Sequence, residues 1–558
     1  MRFITIGLIL FSFCVNAQES IQVDATSFGI DEQKALILTN TNITELNRHY
    51  SGLKSEIVLN GSIYRFQSPV QTIQKGIAYR VIYPPSAKQY SLYFSELPLI
   101  KMTVKDEISD TPKVSGYFEL SHPDHPLVAA TIGVEYRGAS SQMHPKKSME
   151  IEFWTDENSR EERKLSLLGA REKDSWNLQA MYNEPLRINS AVSNELWLAM
   201  HTVHYADKES KAQSGISMQY AELFLNNQYR GVYAIGEKVN RSLLQLKKDK
   251  EGMVRGALHK GYSWDGTTFE RLTRYNNNST TWNGFEYKYP KNTVDWSGLY
   301  TFLSFVINAD DTAFTNNYAS VLDLANAVDY FIFMNLVRAS DNMGKNIYFA
   351  RYDADAPFFF VPWDLDGTFG TIWDGSRENI TVDILSNGLY KRLWQDSTFR
   401  DQLTTRWNTL RKDMLSNASL HNLLGVSYHY LMDNGVYERE ALAWSAYHFN
   451  ESDWNYMNVW LDQRLAFLDI EFNKPLSKEA PTALVVEYFP NPAKDYLIVI
   501  HQEIMQAIHI TDIRGKLVQK EAPNSFRKLI DLSKLNSGSY FLQIITQNNV
   551  HYIKVQKI

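Results

Sequence analysis

The sequence predicts an α+β protein with a β-rich start, a mixed middle and a C-terminal β-sandwich. Residues 18–93 alternate apolar and polar side chains between short turns, which is typical of half-exposed strands. Residues 94–292 mix strand and helix patterns, and residues 293–473 are mainly helical around one hairpin. After a Pro-containing linker at 474–483, residues 484–558 contain seven short strand patterns separated by turns. We therefore expect domains at 18–93, 94–473 and 484–558.

Composition excludes two broad classes of protein. Hydrophobic residues make up 44% of the 558 residues and charged residues 22%, so the chain is not intrinsically disordered as a whole. Its formal net charge is -6, whereas a protein that binds nucleic acid by neutralising phosphates is usually basic. We therefore expect no nucleic-acid partner.

The first 17 residues predict a signal peptide. An arginine at position 2 precedes an apolar run over 3–15, and small or short residues lead to a predicted cleavage after Ala17. The run is shorter than the roughly 20 residues of a transmembrane helix, and no later stretch qualifies, so no transmembrane segment is expected. The single cysteine, Cys14, lies in this segment; lipidation there is an alternative, disfavoured by the bulky Phe13. The mature chain is therefore predicted to be exported without disulfides.

A small-residue loop between two strand patterns predicts a phosphate site. A strand pattern runs into Arg137, Gly138, Ala139, Ser140 and Ser141, and a second strand pattern follows Pro145. Lys147 has the same parity as the apolar residues of that second strand, so it is expected on the core face, with Lys146 on the other face. Backbone N–H groups, hydroxyls and an ammonium group together suit phosphates. The alternative is a surface hairpin with a snorkelling lysine.

Two glutamates are weaker candidates. Glu195 is the only acid well inside the helix predicted after Asn183, where it could pair with a strand lysine or simply be solvated. Residues 220–235 form a predicted hairpin, and Glu237 follows at its open end. A chain segment leaving a sheet there could meet a nucleotide base, so Glu237 is a nucleotide-binding candidate; a plain core sheet is the alternative.

The strongest signal follows a predicted helix over 322–338. Asp341 precedes Asn346 by five residues, and a predicted hairpin then leads to Asp364. The catalytic loop of protein kinases has a proton-accepting Asp and a metal-binding Asn at this separation. Because the ends of a hairpin meet, Asn346 and Asp364 can converge on one cation, for which their oxygens are suited. The alternatives are a pair of capping turns or a calcium site.

Taken together, these motifs resemble the CotH-type secreted kinase family. The resemblance rests, in order along the chain, on Leu97-Pro98-Leu99-Ile100, Arg137-Gly138-Ala139-Ser140-Ser141, Lys146-Lys147-Ser148, Asp341 to Asn346, and Pro362-Trp363-Asp364-Leu365-Asp366. It implies a divergent, two-lobed protein-kinase-like domain over 94–473. It further implies transfer of the ATP γ-phosphate to serine or threonine of exported proteins, with Mg²⁺ or Mn²⁺.

The resemblance also assigns roles to residues. Asp341 would be the catalytic acid/base, Asn346 and Asp364 would bind the metal, and Lys147 would contact phosphates. The loop residues Arg137, Ser140 and Ser141 would bind the nucleotide. Ala139 stands where Asn is common in the family, and Lys345 stands where His is frequent. Because kinase-like folds also survive as binding modules, a catalytically inactive surface protein that binds glycan or protein is the alternative function.

The C-terminal strands resemble a type A sorting domain of the type IX secretion system. The resemblance rests on Asn491-Pro492, Thr511-Asp512, Gly515-Lys516, Leu535 to Tyr540 and Lys554-Val555. It implies that the type IX machinery recognises residues 484–558 and that the protein is secreted or attached to the cell surface. A generic terminal sandwich for carbohydrate binding is the alternative.

Overall fold

The protein is described by a computed structural model that covers residues 18–250, 252–263, 267–474, 486–547 and 550–558. The chain divides into two compact units, with the boundary between Lys474 and Pro475. Their helices and strands confirm the prediction of a mixed α and β protein. The predicted signal peptide, with Cys14, and residues 475–485 around the predicted linker lie outside the described residues.

The first unit begins with a seven-stranded sheet. Its strands are β1 (Gln18–Val23), β2 (Phe28–Asp31), β3 (Leu36–Asn40), β4 (Leu53–Leu59), β5 (Ser62–Val70), β6 (Tyr79–Tyr83) and β7 (Lys88–Ser95), with helix α1 (Ile43–His49) after β3. They are hydrogen-bonded in the order β1-β4-β5-β6-β7-β3-β2. Alternating apolar residues such as Ile57, Leu59, Tyr64 and Phe66 form its core.

A closed barrel follows and provides one wall of the site described below. Its strands are β8 (Leu99–Val104), β9 (Val114–His122), β10 (His125–Tyr136), β11 (Met149–Trp154), β12 (Ser175–Gln179), β13 (Met218–Leu225) and β14 (Gln228–Gly236), with helix α2 (Asn189–Met200) after β12. The order is β10-β11-β12-β14-β13-β8-β9, and β13 and β14 form the predicted hairpin. Inward residues such as Ile132, Ile151 and Leu178 fill the barrel.

A second sheet and a helical layer complete the first unit. After helix α3 (Arg241–Leu244), the sheet consists of β15 (Ala257–Tyr262), β16 (Thr281–Trp282), β17 (Phe285–Tyr289), β18 (Lys345–Arg351) and β19 (Phe358–Pro362). The helices are α4 (Ser297–Asn308), α5 (Asp311–Val321), α6 (Leu324–Leu336), α7 (Gly388–Leu393), α8 (Ser397–Arg411), α9 (Asn417–Asp433), α10 (Val436–Ala443) and α11 (Glu451–Glu471). The predicted hairpin is confirmed as β18–β19, in the sheet order β16-β17-β15-β18-β19. Asp323 caps α6, whose buried residues belong to the largest core of the unit.

The C-terminal unit is a six-stranded sheet rather than the seven strands predicted. Its strands are β20 (Glu487–Phe489), β21 (Tyr496–Asp512), β22 (Leu517–Glu521), β23 (Ser525–Asp531), β24 (Gly538–Thr546) and β25 (Val550–Lys557). Two predicted strands are one long β21, because the residues between them include no glycine or proline and the register merely shifts between Ile500 and Met505. Both halves of β21 contribute to one core, through Leu497 and Val499 and through Ile508 and Ile510.

Candidate active site

A polar cavity of about 350 Å³ lies where the barrel meets the mouth of the β18–β19 hairpin. The barrel contributes the connection between β10 and β11 and the residues after β12. The second sheet contributes the start of β18 and the residues after β19. The charged residues that line the cavity are Arg137, Lys146, Lys260, Glu286, Lys288, Lys345, Asp364 and Asp366. A larger cavity, of about 710 Å³, has Arg351 and Phe358 in its lining and none of the predicted site residues.

Asn346 and Asp364 both line this cavity, as the hairpin prediction requires. Asn346 is the second residue of β18, and Asp364 follows β19 by two residues. Trp363 N–H donates to the carbonyl of Asn346 at 3.1 Å, which closes the mouth of the hairpin. Both residues have left-handed backbones, with φ of +56° and +58°. Asn and Asp tolerate this conformation better than most residues, and such strain is concentrated at functional sites.

Asn342 holds this mouth in place and was not singled out from the sequence. Its buried side-chain amide donates to the carbonyl of Asn346 at 2.7 Å and to that of Trp363 at 2.9 Å. One side chain therefore joins the two ends of the hairpin. In the sequence, Asn342 is a side-chain amide in the turn between a helix and a strand, and such residues are too common for its role at the hairpin to be predicted.

Asp341 is not among the residues that line the cavity; it lies in the short 3-10 turn Ser340–Met343 that follows α6. Its side chain is half-buried. Burial raises the pKa of its carboxyl above the ordinary value, the nearby Lys345 opposes this rise, and the negative charge of Asp364 adds to it. Asp341, Lys345 and Asp364 therefore lie within electrostatic reach of one another.

Asp366 lines the cavity together with Asp364. Its Oδ2 accepts from Asn183 Nδ2 at 2.6 Å, and its Oδ1 accepts from the N–H of Gly367 at 2.9 Å. Burial, followed by the charge of Asp364, raises the pKa of Asp366 well above its ordinary value. A bound divalent cation would offset the negative charge of these two neighbouring carboxyl groups.

These residues fit a hard divalent cation. Asn346, Asp364 and Asp366 offer one amide and two carboxyl groups, which are the oxygen ligands preferred by Mg²⁺. Among the described residues no group of three or more histidine, cysteine, aspartate or glutamate side chains suits a metal. Three protein ligands leave room for phosphate and water oxygens in an octahedral shell.

The small-residue loop lines the opposite side of the cavity. Gly138 has a φ of +104°, and a Cβ atom there would lie 1.9 Å from the Oγ of Ser141, so only glycine fits. Arg137 donates to Gln179 Oε1 at 3.0 Å, and its guanidinium lies 5.5 Å from the centre of a Trp363 ring. Ser141 lines the cavity, whereas the side chain of Ser140 lies outside the described residues.

The prediction that Lys147 faces the core and Lys146 faces away is wrong. Lys146 is completely buried and lines the cavity, with its Nζ 2.7 Å from Glu440 Oε1 and 2.5 Å from the carbonyl of Val232. Lys147 is half-buried and donates to the carbonyl of Gln142. The alternation of faces applies only within a strand, and β11 begins at Met149, two residues after Lys147.

The structure corrects the nucleotide-binding prediction for Glu237 and favours the solvated alternative for Glu195. Glu237 is buried away from the cavity lining, where its carboxylate accepts from Arg171 Nε at 2.6 Å and Nη2 at 3.1 Å. Its charge is therefore matched within the protein rather than directed to a nucleotide. Glu195 is exposed on α2 and does not pair with a strand lysine. The acid that pairs with Lys146 is Glu440 of α10, which also accepts from Arg187 Nε at 3.0 Å.

Lysines that sequence reasoning missed surround the carboxylates. Lys260 and Lys345 line the cavity, and burial lowers the pKa of both ammonium groups, against the raising effect of nearby acids. Lys288 links this cavity to a second one of about 650 Å³, lined by Val239, Leu258 and Tyr289 among others. Cations and carboxylates that face one space suit a phosphate chain with its metal.

Comparison with known proteins places these features in a family. No curated protein matches the chain. Among the solved structures that match is the toxin–antitoxin HipA, HipB and operator DNA complex of Shewanella oneidensis MR-1, with 12% identity over 53% of this chain and a TM-score of 0.20; the match spans 57% of that structure's chain. Residues 487–558 match the family described as Secretion system C-terminal sorting domain. Residues 134–468, more than half of the chain, match the family described as CotH kinase protein, and the protein belongs to that family.

Proposed function

We propose that this protein is an exported, metal-dependent protein kinase that transfers the γ-phosphate of ATP to serine or threonine of other exported proteins. The observation that carries the proposal is that Asn346 and Asp364 line one cavity at the mouth of a hairpin and that Asp341 lies within electrostatic reach of Asp364. If the domain has the two lobes of a protein kinase, the barrel would be the lobe that covers the nucleotide, and the helical layer would be the other lobe.

The metal would be held on the hairpin side of the cavity. Asn346 and Asp364 would bind Mg²⁺ or Mn²⁺, with Asp366 as a further oxygen ligand. When bound, the cation would neutralise negative charge on the phosphates during transfer. Asn183 fixes Asp366, and Asn342 fixes the peptide groups of Asn346 and Trp363, so the ligands are oriented before the metal arrives.

The phosphates would lie between the metal ligands and the barrel loop. Gly138 leaves space for close approach of the backbone, and Arg137, Lys260 and Lys345 supply positive charge around the chain of phosphates. The nucleoside would extend toward the second cavity, because Lys288 lines both spaces.

Asp341 would act on the acceptor. Its carboxylate would accept the proton of a serine or threonine hydroxyl while the hydroxyl oxygen bonds to the γ-phosphorus and the bond to the β-phosphate oxygen breaks. Positioning and charge neutralisation would supply most of the rate enhancement.

The sorting tail supports export as the setting of this reaction. Residues 487–558 match a secretion sorting domain, and the sequence predicts a signal peptide at the opposite end. In the described residues no helix has the length and apolar character needed to cross a membrane. We propose that the tail is recognised by the type IX machinery and that the protein is secreted or displayed at the cell surface.

A transfer assay tests the proposal. The mature chain is incubated with labelled ATP and Mg²⁺ or Mn²⁺, and incorporation into itself and into serine-rich proteins is followed beside Asp341→Asn and Asp364→Asn. We expect incorporation to be lost in both variants and kept in Asp311→Asn, whose carboxylate is fully exposed on α5. Nucleotide binding without transfer in the unaltered chain would favour an inactive binding protein. Absence of both transfer and a nucleotide-induced rise in melting temperature would overturn the proposal.

A further inference from the structure

Arg338 lies at the junction between α6 and the turn that carries Asp341. It is two residues beyond the end of α6 and three before Asp341, and its side chain is only 6% exposed. Its backbone is left-handed, with a φ of +52°, which is uncommon for a bulky residue. A long, charged side chain is therefore buried and strained beside the proposed catalytic residue.

The guanidinium of Arg338 forms ion pairs with two carboxylates. Nε lies 3.0 Å from Asp383 Oδ1, Nη2 lies 2.8 Å from Asp383 Oδ2, and Nη1 lies 2.7 Å from Glu378 Oε2. Both acids belong to residues 367–387, which connect Asp366 to α7. Within that connecting segment the structure assigns no helix or strand, apart from an isolated bridge between Thr371 and Arg377.

A second buried arginine holds the same segment from the other side. Arg464 of α11 donates to the carbonyls of Thr381 at 2.9 Å and Asp383 at 2.7 Å, and to Asp383 Oδ1 at 3.1 Å. Its Nε also donates to the carbonyl of Asn335 in α6 at 2.7 Å. Asp383 is thus held by two arginines, and the segment is joined to both α6 and α11.

Both ends of the connecting segment also form hydrogen bonds with residues 337–343, which include the turn that carries Asp341. Near its start, the N–H of Phe369 donates to the carbonyl of Val337 at 2.9 Å. At its end, Asn387 Nδ2 donates to the carbonyl of Met343 at 2.7 Å. The turn from Val337 to Met343 is therefore bracketed by the segment, with the Arg338 ion pairs between the two contacts.

In many kinases a loop near the active site becomes ordered only after phosphorylation, which creates a new arginine–phosphate pair. Here two carboxylates already supply the negative charge. We infer that Arg338 is a positioning residue that, through Asp383 and Glu378, keeps the connecting segment and the Asp341 turn in their working arrangement without phosphorylation. This inference rests on the proposed function for its catalytic consequence, whereas the clamp itself can be tested separately.

Transfer kinetics test the catalytic part. The mature chain is treated with phosphatase, repurified and assayed; we expect unchanged activity. Arg338→Met and Asp383→Asn are expected to lower kcat by roughly 100-fold, because a small misplacement of a catalytic group has an effect of that size. The KM for ATP should change less than about threefold, because neither residue lines the nucleotide cavity. Arg338→Lys should be intermediate, since an ammonium cannot make the two-pronged contact.

Limited proteolysis tests the clamp without any need for transfer. Trypsin can cut after Arg377, which lies inside the segment and is 39% exposed in its side chain. Cleavage there should be slow in the unaltered chain before and after phosphatase, and at least about tenfold faster in Arg338→Met and Asp383→Asn. Asp453→Asn, which removes the half-buried carboxylate partner of Arg377, is the control for kcat and should keep kcat near that of the unaltered chain.

Three results would overturn the inference: loss of activity after phosphatase, a kcat within threefold of normal in Arg338→Met, or unchanged tryptic cleavage in that variant. If the unaltered chain transfers no phosphate at all, the proposed function fails and the proteolysis alone decides whether Arg338 clamps the segment. A misfolded Arg338→Met would lose its nucleotide-induced melting shift, and Arg338→Lys and Asp383→Asn would then carry the test.

Discussion

Asn342 Nδ2 donates a hydrogen bond of 2.7 Å to the carbonyl oxygen of Asn346, four residues ahead of it. The same amide reaches the carbonyl of Trp363 at 2.9 Å, across the mouth of the hairpin. Asn346 and Asp364, the proposed metal ligands, are thereby fixed through their backbones rather than through their side chains. Their left-handed backbones persist because this amide and the hairpin together determine them.

Asn342→Ala should therefore weaken metal binding. Loss of a residue that orients metal ligands typically lowers metal affinity 10- to 100-fold, so we expect at least about a tenfold loss of apparent Mn²⁺ affinity. The measurement is a Mn²⁺ titration with a non-hydrolysable ATP analogue, read by melting temperature. Asn434→Ala is the control, because Asn434 is equally buried but bonds to Tyr430 and Glu96. Equal losses in the two variants would contradict the assignment.

The pH dependence of transfer should report Asp341. Its pKa is raised by burial, lowered by Lys345 and raised by Asp364. The carboxylate must be ionised to accept a proton, so kcat should fall as pH falls through this raised pKa. Lys345→Met removes a charge that lowers the pKa, so the acid limb of the kcat profile should move to higher pH.

Lys288→Met provides the control for that profile. Lys288 lines the same cavity but pairs with Glu286 at 2.8 Å, and it does not act on the pKa of Asp341. In Lys288→Met, the acid limb of the kcat profile should lie at the same pH as in the unaltered chain. If the acid limb of the kcat profile of Lys345→Met does not move, or moves to lower pH, Asp341 is not the titrating group.

The parts of the site that the sequence predicted are those set by local order along the chain. Asp341, Asn346 and Asp364 lie within 24 residues, and a hairpin between the last two brings its ends together whatever surrounds it. Likewise, the small-residue loop around Gly138 is predicted from the sequence and lies between two strands, β10 and β11, that pair in the structure. The left-handed φ of Gly138 is a finding of the structure. Helix α6 was predicted from the spacing of its buried residues.

The parts that the sequence could not predict depend on distant partners or on the exact start of a strand. Lys146 is buried against Glu440, which is 294 residues away, so no local pattern connects them. The parity argument selected Lys147 because it extended the alternation past Met149, where β11 begins. Glu237 is predicted to be available at the open end of a hairpin, but Arg171, from another loop, matches its charge.

Gly138→Ala should impair nucleotide binding. The left-handed φ of +104° would strain an alanine, and its Cβ would collide with the Oγ of Ser141. Strain of this kind costs about 1–3 kcal/mol, and if all of it opposes nucleotide binding the KM for ATP rises about 5- to 150-fold. Gly61→Ala is the matched control, since Gly61 has a φ of +77° with open space around it in the β4–β5 turn. A KM that rises equally in both variants would show that strain alone, and not the phosphate loop, is responsible.

Lys146→Met should destabilise the fold. The ion pair between Lys146 and Glu440 is fully buried, and the same carboxylate also accepts from Arg187 and from the N–H of Val232 at 2.7 Å. Removing one partner of a buried pair leaves a charge in a low-dielectric interior, which costs about 3–5 kcal/mol in free energy of unfolding. Because Glu440 keeps Arg187, we expect the lower end of that range.

A double-mutant cycle separates the pair from its surroundings. Glu440→Gln should be destabilising by a similar amount, while Lys146→Met with Glu440→Gln should cost less than the sum of the two single changes, since residues in one ion-pair network couple by about 0.5–3 kcal/mol. Denaturant unfolding of the mature chain measures all three variants. Lys147→Met is the control: its half-buried ammonium contacts a carbonyl and the Tyr136 ring and has no carboxylate partner among the described residues, so the change should cost less than about 1 kcal/mol. Additive effects of the two single changes would mean that Lys146 and Glu440 are stabilised separately, and the ion pair would then not hold α10 against the barrel.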